Sequence, residues 1–476
     1  MKRLFLFSVI VLSFSQFIFA QSTVWPMNGK IRVYFNHPVT TTVSSGTNAV
    51  YLNNCIADTL VNYINRAKYT IDCAIYNATS SSTMTPVITA INAAKNRGLT
   101  IRWIDNGNNS SNTAVSGLLS SINVLSSPST SGYGIMHCKF MIIDANSSNT
   151  ADPIVWTGST NWSDQQFNAD YNNVVIIQDK PLALAYTAEF NEMWGSTTAT
   201  PNATAAKFGS TKTDPLTTHT FTIGGKTVEL YFSPTDGVNN HIISTINTAN
   251  TDLYFGVYTF TQNSDATPIV AKHNAGVYTA GIIDVFSQTY SPYTTLLNGL
   301  GSSLFKVYTG TNNLLYHNKF LIVDPSNPNS DPQVLTGSHN WSSSANSSND
   351  ENTLIIHDAT VANMYYQSFY HNFTDMGGTL TLISAINDLS NMDNDINVYP
   401  NPNVVGSPVY INLNPSLNIT DAKLIIYNIL GDKLKVIKHL NNDLNTIDCG
   451  IQNKGMYFYQ LFDGDKLIKT GKFLFQ

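Results

Sequence analysis

Two copies of one short pattern stand 180 residues apart, and each sets a histidine two residues before a lysine. The first runs His137-Cys138-Lys139, then Asp144, then Gly158-Ser159-Thr160-Asn161-Trp162. The second runs His317-Asn318-Lys319, then Asp324, then Gly337-Ser338-His339-Asn340-Trp341. On a strand, successive side chains alternate faces, so His137 and Lys139 emerge together, as do His317 and Lys319. Ser159 with Asn161, and Ser338 with Asn340, share a face in the same way and offer hydrogen-bond donors. The glycine before each pair permits close backbone approach. Two imidazoles, two ammoniums and two carboxamides make a phosphate site that needs neither metal nor cofactor. The lysines and asparagines neutralise and orient the non-bridging oxygens. One neutral imidazole attacks phosphorus, and the other, protonated, gives its proton to the leaving oxygen. An ordinary histidine pKa of about 6.5 suits that division of labour near neutrality.

Asp144 and Asp324 lie seven residues beyond their histidines, an odd spacing that points them elsewhere. They are expected to be structural, capping or pairing. Ungapped alignment of the two GSxN segments puts Glu351 at the position of Asn172. Glu351 is therefore expected to orient His317 through one imidazole N–H. In the first half, Asp170 is the nearest substitute for His137. His339 is placed at the entrance, and Cys138 on the buried face opposite His137 and Lys139. The four cysteines lack C-x-x-C or Cys/His ligand spacing, which argues against zinc. A Cys55–Cys73 bridge stays open.

The repeat extends beyond the motifs. Val33-Tyr34-Phe35 answers Leu230-Tyr231-Phe232 as a first strand. Ile56, Leu60, Val61 and Ile64 fall at helical spacing, as do apolar positions over His241–Ala249. Thr85-Pro86-Val87-Ile88 matches Thr267-Pro268-Ile269-Val270, with each proline expected near a helix start. Gly98 and Gly276 close these helices, and apolar strands end in Asp105 and Asp284. Strand, helix, strand, helix, motif strand, final helix thus occurs twice, which argues for two α/β units over 30–196 and 227–380. The Thr/Ala/Gly-rich stretch 197–226 reads as a linker or an edge excursion. Beyond a polar stretch at 387–395, short strand-like segments with Gly-Asp turns make a small β-sandwich over 396–476.

At 476 residues two to four domains are expected. Charged residues are only 12% of the chain and net charge is −6, with Asn, Ser and Thr in their place. No Lys/Arg block of the kind that follows nucleic acid is present. Lys2-Arg3 and the apolar run Leu4 to Ala20 read as an export signal over 1–20.

The paired H-x-K-x4-D and GSxN motifs resemble those of the phospholipase D superfamily over about residues 30–380. The resemblance implies two α/β/α sandwich halves packed as a pseudo-dimer, with the motifs meeting at their interface. It implies His137 as nucleophile, His317 as general acid/base, and Lys139, Lys319, Asn161 and Asn340 binding phosphate, supported by Ser159 and Ser338. This chain departs in the longer Asp-to-Gly gaps, 13 and 12 residues, which simply lengthen a hairpin, and in Asn172. The tail, with Val398-Tyr399-Pro400-Asn401-Pro402, Ile426-Tyr427-Asn428-Ile429-Leu430-Gly431 and Gly455-Met456-Tyr457 through Gly471-Lys472-Phe473, resembles the sorting domain of the type IX secretion system. It implies that machinery as partner, export through the periplasm, tail removal, and a secreted or cell-surface location. A carbohydrate-binding or spacer sandwich is the other reading of the tail. The expected function is a monomeric phosphodiesterase acting on phospholipid, with transient membrane-surface contact. A nuclease of the same superfamily is the alternative, and a non-catalytic surface binding protein stands behind both.

Overall fold

The computed structural model describes residues 30–130, 133–381 and 396–476, the last apart from 414–420, 429–431, 442–443, 452 and 465. The expected export signal, the polar stretch 387–395 and the Ile429-Leu430-Gly431 part of the tail motif lie outside the described residues. The chain divides into two compact units, Met1–Leu380 and Thr381–Gln476.

In the first half of unit 1, β1 (Ile31–Phe35) and the short β2 (Val50–Tyr51) precede α1 (Ile56–Arg66), β3 (Thr70–Ile75), α2 (Met84–Asn96), β4 (Thr100–Asp105) and β5 (Asn123–Ser126). The motif strand β6 (Lys139–Ile143) follows, then β7 (Ile154–Gly158), α3 (Asp164–Asn168), β8 (Asn173–Ile177) and α4 (Lys180–Trp194). They form one mixed sheet of order β2-β1-β8-β7-β6-β3-β4-β5.

The second half begins with β9 (Thr220–Ile223), β10 (Lys226–Ser233), α5 (Val238–Thr248), β11 (Asp252–Val257), α6 (Asn263–Asn274) and β12 (Tyr278–Asp284). It continues with α7 (Ser291–Leu304), β13 (Phe305–Tyr308), β14 (Lys319–Val323), β15 (Gln333–Gly337), α8 (Ser343–Ser347), β16 (Glu351–His357) and α9 (Ala359–Asp375). Its sheet, read from β9, runs β9-β10-β16-β15-β14-β11-β12-β13, the order of the first half. The edges differ: β2 runs parallel to β1, whereas β9 and β10 are an antiparallel pair joined at Gly224-Gly225, both at positive φ. One proline departs from expectation. Because α6 starts a turn earlier than the sequence suggests, Pro268 sits inside it and removes one i→i−4 hydrogen bond.

Alternation along the motif strands divides the core in three. Met141 and Ile143 face α1 and α2. Leu321 and Val323 face α5, α6 and α7. Phe140, Ile142, Phe320 and Ile322 face the other way, into one cluster that takes in Tyr186 and Phe190 of α4 together with Tyr365 and Phe369 of α9. Each such ring is worth roughly 1.5–3 kcal/mol when fully buried, so the two halves are one folded body rather than two tethered ones. Cys138 lies in this cluster, fully buried, and all four cysteines are free thiols, so Cys55 and Cys73 are not bridged.

Asp144 and Asp324 each sit at positive φ (+52° and +49°) just past their strand, a conformation a short polar side chain tolerates. The Asp144 carboxylate accepts from the backbone N–H groups of Lys68, Tyr69 and Thr70 at 2.7–2.8 Å. Asp324 accepts from those of Asn250, Thr251 and Asp252. Each aspartate thus clamps the turn that enters the neighbouring strand.

Unit 2 has a three-stranded sheet of β17 (Ile396–Tyr399), β18 (Val409–Leu413) and β21 (Leu444–Ile447). Its four-stranded partner holds β19 (Ala422–Tyr427), β20 (Lys433–Leu440), β22 (Gly455–Asp463) and β23 (Lys466–Phe475). Both sheets share one core through Ile411, Leu424, Leu461 and Phe473. The lysine-rich β20, unexpected from sequence, is an edge strand, where charge blocks further pairing.

Replacing Asp144 or Asp324 by alanine leaves three backbone donors without their anionic acceptor. Each change is expected to lower unfolding free energy by about 2–4 kcal/mol, read from urea melts.

Candidate active site

The chain just ahead of each motif histidine crosses to the other half. Asp350 donates its backbone N–H to the Ile135 carbonyl at 3.0 Å, and its own carbonyl accepts from His137 at 2.9 Å. The counterpart is the Tyr171 N–H on the Leu315 carbonyl at 2.9 Å. Side chains fasten the same places: Asn349 Oδ1 accepts from Ile135 N at 3.2 Å, and Asp170 Oδ1 from Leu315 N at 2.8 Å. Asn173 and Asn352, both fully buried, complete the crossing. Asn352 donates to Thr157 and Tyr186 of the first half. Asn173 donates to Asn318 and accepts from Thr336 and Tyr365 of the second.

This crossing reverses the expected orienting pairs. Glu351 Oε2 lies 2.8 Å from Nδ1 of His137, not of His317. His317 Nδ1 instead meets Asn172 Oδ1 at 3.0 Å. Asp170 does not reach His137; it accepts from Gln165, Gln166 and Leu315 and so anchors the crossing. Asn172 is held by Ser159, whose hydroxyl donates to Oδ1 at 2.8 Å, while its Nδ2 donates to the Gln166 carbonyl. With Oδ1 the acceptor, His317 carries its proton on Nδ1, and Nε2 is left for chemistry. The carboxylate of Glu351 dictates the same tautomer for His137.

The lysines are placed alike. Nζ of Lys139 donates to the His137 carbonyl at 2.7 Å and Nζ of Lys319 to the His317 carbonyl at 2.6 Å. Each ammonium also stands 5.1 Å from the centre of a tyrosine ring, Tyr76 and Tyr258 respectively. The same tyrosines pack against the imidazoles, at 4.7 Å for Tyr76–His137 and 5.1 Å for Tyr258–His317. Sequence reading missed this pair, although each directly follows the apolar strand β3 or β11 and so occupies the same place in the repeat. Ser338 accepts from the Asn352 N–H at 3.0 Å. The buried carboxamide oxygens of Asn161 and Asn340 have no hydrogen-bond partner among the described residues. His339 is 2% exposed, about as buried as His137 and His317, and neither of its ring nitrogens is hydrogen-bonded among the described residues.

Burial sets the charges. It drives the His137 pKa down to about 4, against the pull of Glu351, with Lys139 and Lys319 adding to the fall. His317 is held well below the ordinary histidine range by burial, Lys319, Lys139 and His137. Burial lowers Lys139 to about 7 and Lys319 well below its usual value, where Lys139 also opposes it. Burial alone would raise Glu351, yet His137 and Lys139 outweigh it and keep the carboxylate ionised. Each half's charges act on the other half's histidine. The site therefore presents two neutral imidazoles beside cationic groups short of an anion.

Two family models match. The cardiolipin synthase, phospholipase D-like domain covers residues 60–194 and 242–372, together more than half the chain. The chain belongs to the phospholipase D-like superfamily. The secretion-system C-terminal sorting domain matches residues 397–476 and indicates export, to the surface or beyond it, by type IX secretion. Among curated relatives, a phospholipase D of Rickettsia bellii is 26% identical over 146 residues, 30% of this chain and 67% of that protein. A mitochondrial cardiolipin hydrolase of Drosophila melanogaster is 32% identical over 151 residues, 28% of this chain and 57% of that protein. In fold, a phosphatidylserine synthase of Haemophilus influenzae superposes with a TM-score of 0.51 at 13% identity, over 72% of this chain and 85% of that one. Among the described residues no helix is long and apolar enough to cross a membrane.

In this phospholipase D-like chain the stretch expected to be a linker is part of the site's support. Lys212, fully buried, ion-pairs with Glu189 of α4 at 2.5 Å and with Asp350 at 3.2 Å, and donates to the Ser233 carbonyl. Gly209 N–H donates to the same Asp350 carboxylate at 2.7 Å. Burial disfavours the Lys212 ammonium, but the two carboxylates prevail and hold it charged. Burial also pushes Glu189 up to about 7, against the pull of Lys212. The cluster fixes Asp350, and with it the neighbouring Glu351 on His137. Removing one member of a buried ion group strands the others, so Lys212→Met is expected to cost about 3–5 kcal/mol, measured by thermal or urea unfolding. The triple change Lys212→Met, Glu189→Gln, Asp350→Asn is expected to recover most of that loss.

Proposed function

We propose that the chain is an exported phospholipase D-type phosphodiesterase that hydrolyses a phospholipid to phosphatidate and head-group alcohol through a phosphohistidine. The observation that carries the reading is the reciprocal anchoring of two imidazoles by the opposite half, each with a lysine at its side. His137, backed by the Glu351 carboxylate, is the nucleophile: its Nε2 attacks phosphorus as Glu351 stabilises the positive charge that develops on the ring. His317 gives its Nε2 proton to the departing head-group oxygen, then takes one from the water that opens the phosphohistidine. Asn172 is uncharged and does not favour imidazolium at His317. The proton there is stabilised instead by the bound phosphodiester anion, which also offsets Lys139 and Lys319. Lys139, Lys319, Asn161 and Asn340 bind the non-bridging oxygens, and Ser159 and Ser338 support them. One chain supplies both halves, so the active form is a monomer that touches the membrane surface in passing.

His137→Asn and His317→Asn are each expected to lower kcat by at least about 10³-fold. Acid quench during turnover should trap label on His137; label on His317 would reverse the two roles. Activity should survive EDTA. Since kcat/KM reports the free enzyme, loss of the Lys139 proton should reduce it as pH rises through about 7. A profile that keeps climbing to pH 9 would remove the lysines from phosphate binding.

A further inference from the structure

Seven large hydrophobic residues are exposed among the described residues of unit 1, and three of them, Val285, Phe286 and Tyr290, fall within six positions on one turn after β12. Clustering of that kind marks a contact surface rather than scattered exposure. Phe286 is 48% exposed, Val285 43% and Tyr290 39%. The turn is joined to the site by rings. Tyr290 lies 5.8 Å from Phe286, Phe286 stacks on Tyr258 at 5.9 Å, and Tyr258 packs on His317 and under Lys319. Ser287 donates to the Tyr258 carbonyl at 2.8 Å, as Asn109 Nδ2 does to that of Tyr76 at 3.1 Å. The segments after β4 and β12 therefore border the two faces of the site. Across 106–136 and 285–316 the only lysine or arginine is Lys306, whose ammonium lies over the Phe373 ring.

We infer that the turn from Val285 to Tyr290 is a bilayer anchor that seats the rim of the site on a zwitterionic lipid surface. The inference rests on the phospholipid reading of the site. A polyanion would need several cations along this rim to offset its phosphates, and Lys306 is the single lysine or arginine in the two segments. An interfacial bilayer needs aromatic and aliphatic side chains on a surface of low positive charge, which is what the turn presents. The equivalent segment of the first half exposes one large hydrophobic among its described residues, Tyr133 at 37%, against three in the turn, so the second half carries most of the contact.

The full-length protein would be assayed on phosphatidylcholine vesicles, on monomeric dihexanoyl-phosphatidylcholine, and for binding to a single-stranded oligonucleotide. The double change F286S/Y290S should weaken vesicle co-sedimentation and vesicle hydrolysis by on the order of tenfold for each ring removed, while monomeric lipid is cleaved at the parental rate. F286W should keep vesicle binding and acquire quenching by brominated acyl chains that the parent lacks. Unchanged vesicle binding in the double variant would overturn the anchor. So would equal losses on vesicles and monomer, or a loss confined to the oligonucleotide, which would make the turn a base-stacking platform. Failure of the phospholipid reading has a separate signature: the parent would cleave neither form of lipid, whatever the turn does on vesicles.

Discussion

The structure depends on a crossed backbone pairing. The residues ahead of each motif strand pair with the residues ahead of the opposite half's β8 or β16. That pairing fixes both histidines against groups from the other half, and neither half could build a complete site alone. It also explains why so many polar side chains are buried there. Asp170, Asn173, Asn349 and Asn352 each satisfy backbone or side-chain partners across the interface, and an unmade bond at that depth would cost about 1–3 kcal/mol. The aromatic core around Phe140, Phe320, Tyr186 and Tyr365 supplies the adhesion; the amides supply the register.

Within that frame, burial does the electrostatic work. Desolvation drives protons off the imidazoles and makes the lysine ammoniums unstable, so the protein's own groups leave the site short of negative charge. In the proposed reaction an incoming phosphodiester relieves this and so couples binding to protonation. The two halves are not equivalent here. A carboxylate stands behind His137 and a carboxamide behind His317, a difference that suits the proposed division into a nucleophile that turns cationic and an acid that releases its proton. The scaffold occurs twice, and one position, Asn172 against Glu351, makes the histidine partners differ.

The stretch between the halves shows how a polar, Thr-rich segment can be structural. Lys212 enters the interior because two carboxylates await it, and its ion pairs hold the backbone next to Glu351. The turn after β12 is the opposite case: apolar residues stay in solvent beside a buried site, although the chain has ample core to receive them.

Sequence by itself determined the elements and the chemistry at each position. The spacing of His137 and Lys139, and of His317 and Lys319, is local, and a period of two on a strand settles which side chains emerge together. The odd offset of Asp144 and Asp324 removed them from that face, and the clamps they form follow from the same local logic. The strand–helix order was legible because apolar periodicity is a property of neighbours along the chain. The partners of the histidines were not. Aligning Glu351 with Asn172 identified the two positions but not the half each serves, since no local signal reports which strand ends cross an interface. Tyr76, Tyr258, Asn173, Asn352 and Lys212 were hidden for the same reason. Their roles arise from contacts with residues more than a hundred positions away, or, for the tyrosines, with motif residues some sixty positions on, and only folding brings those groups within reach.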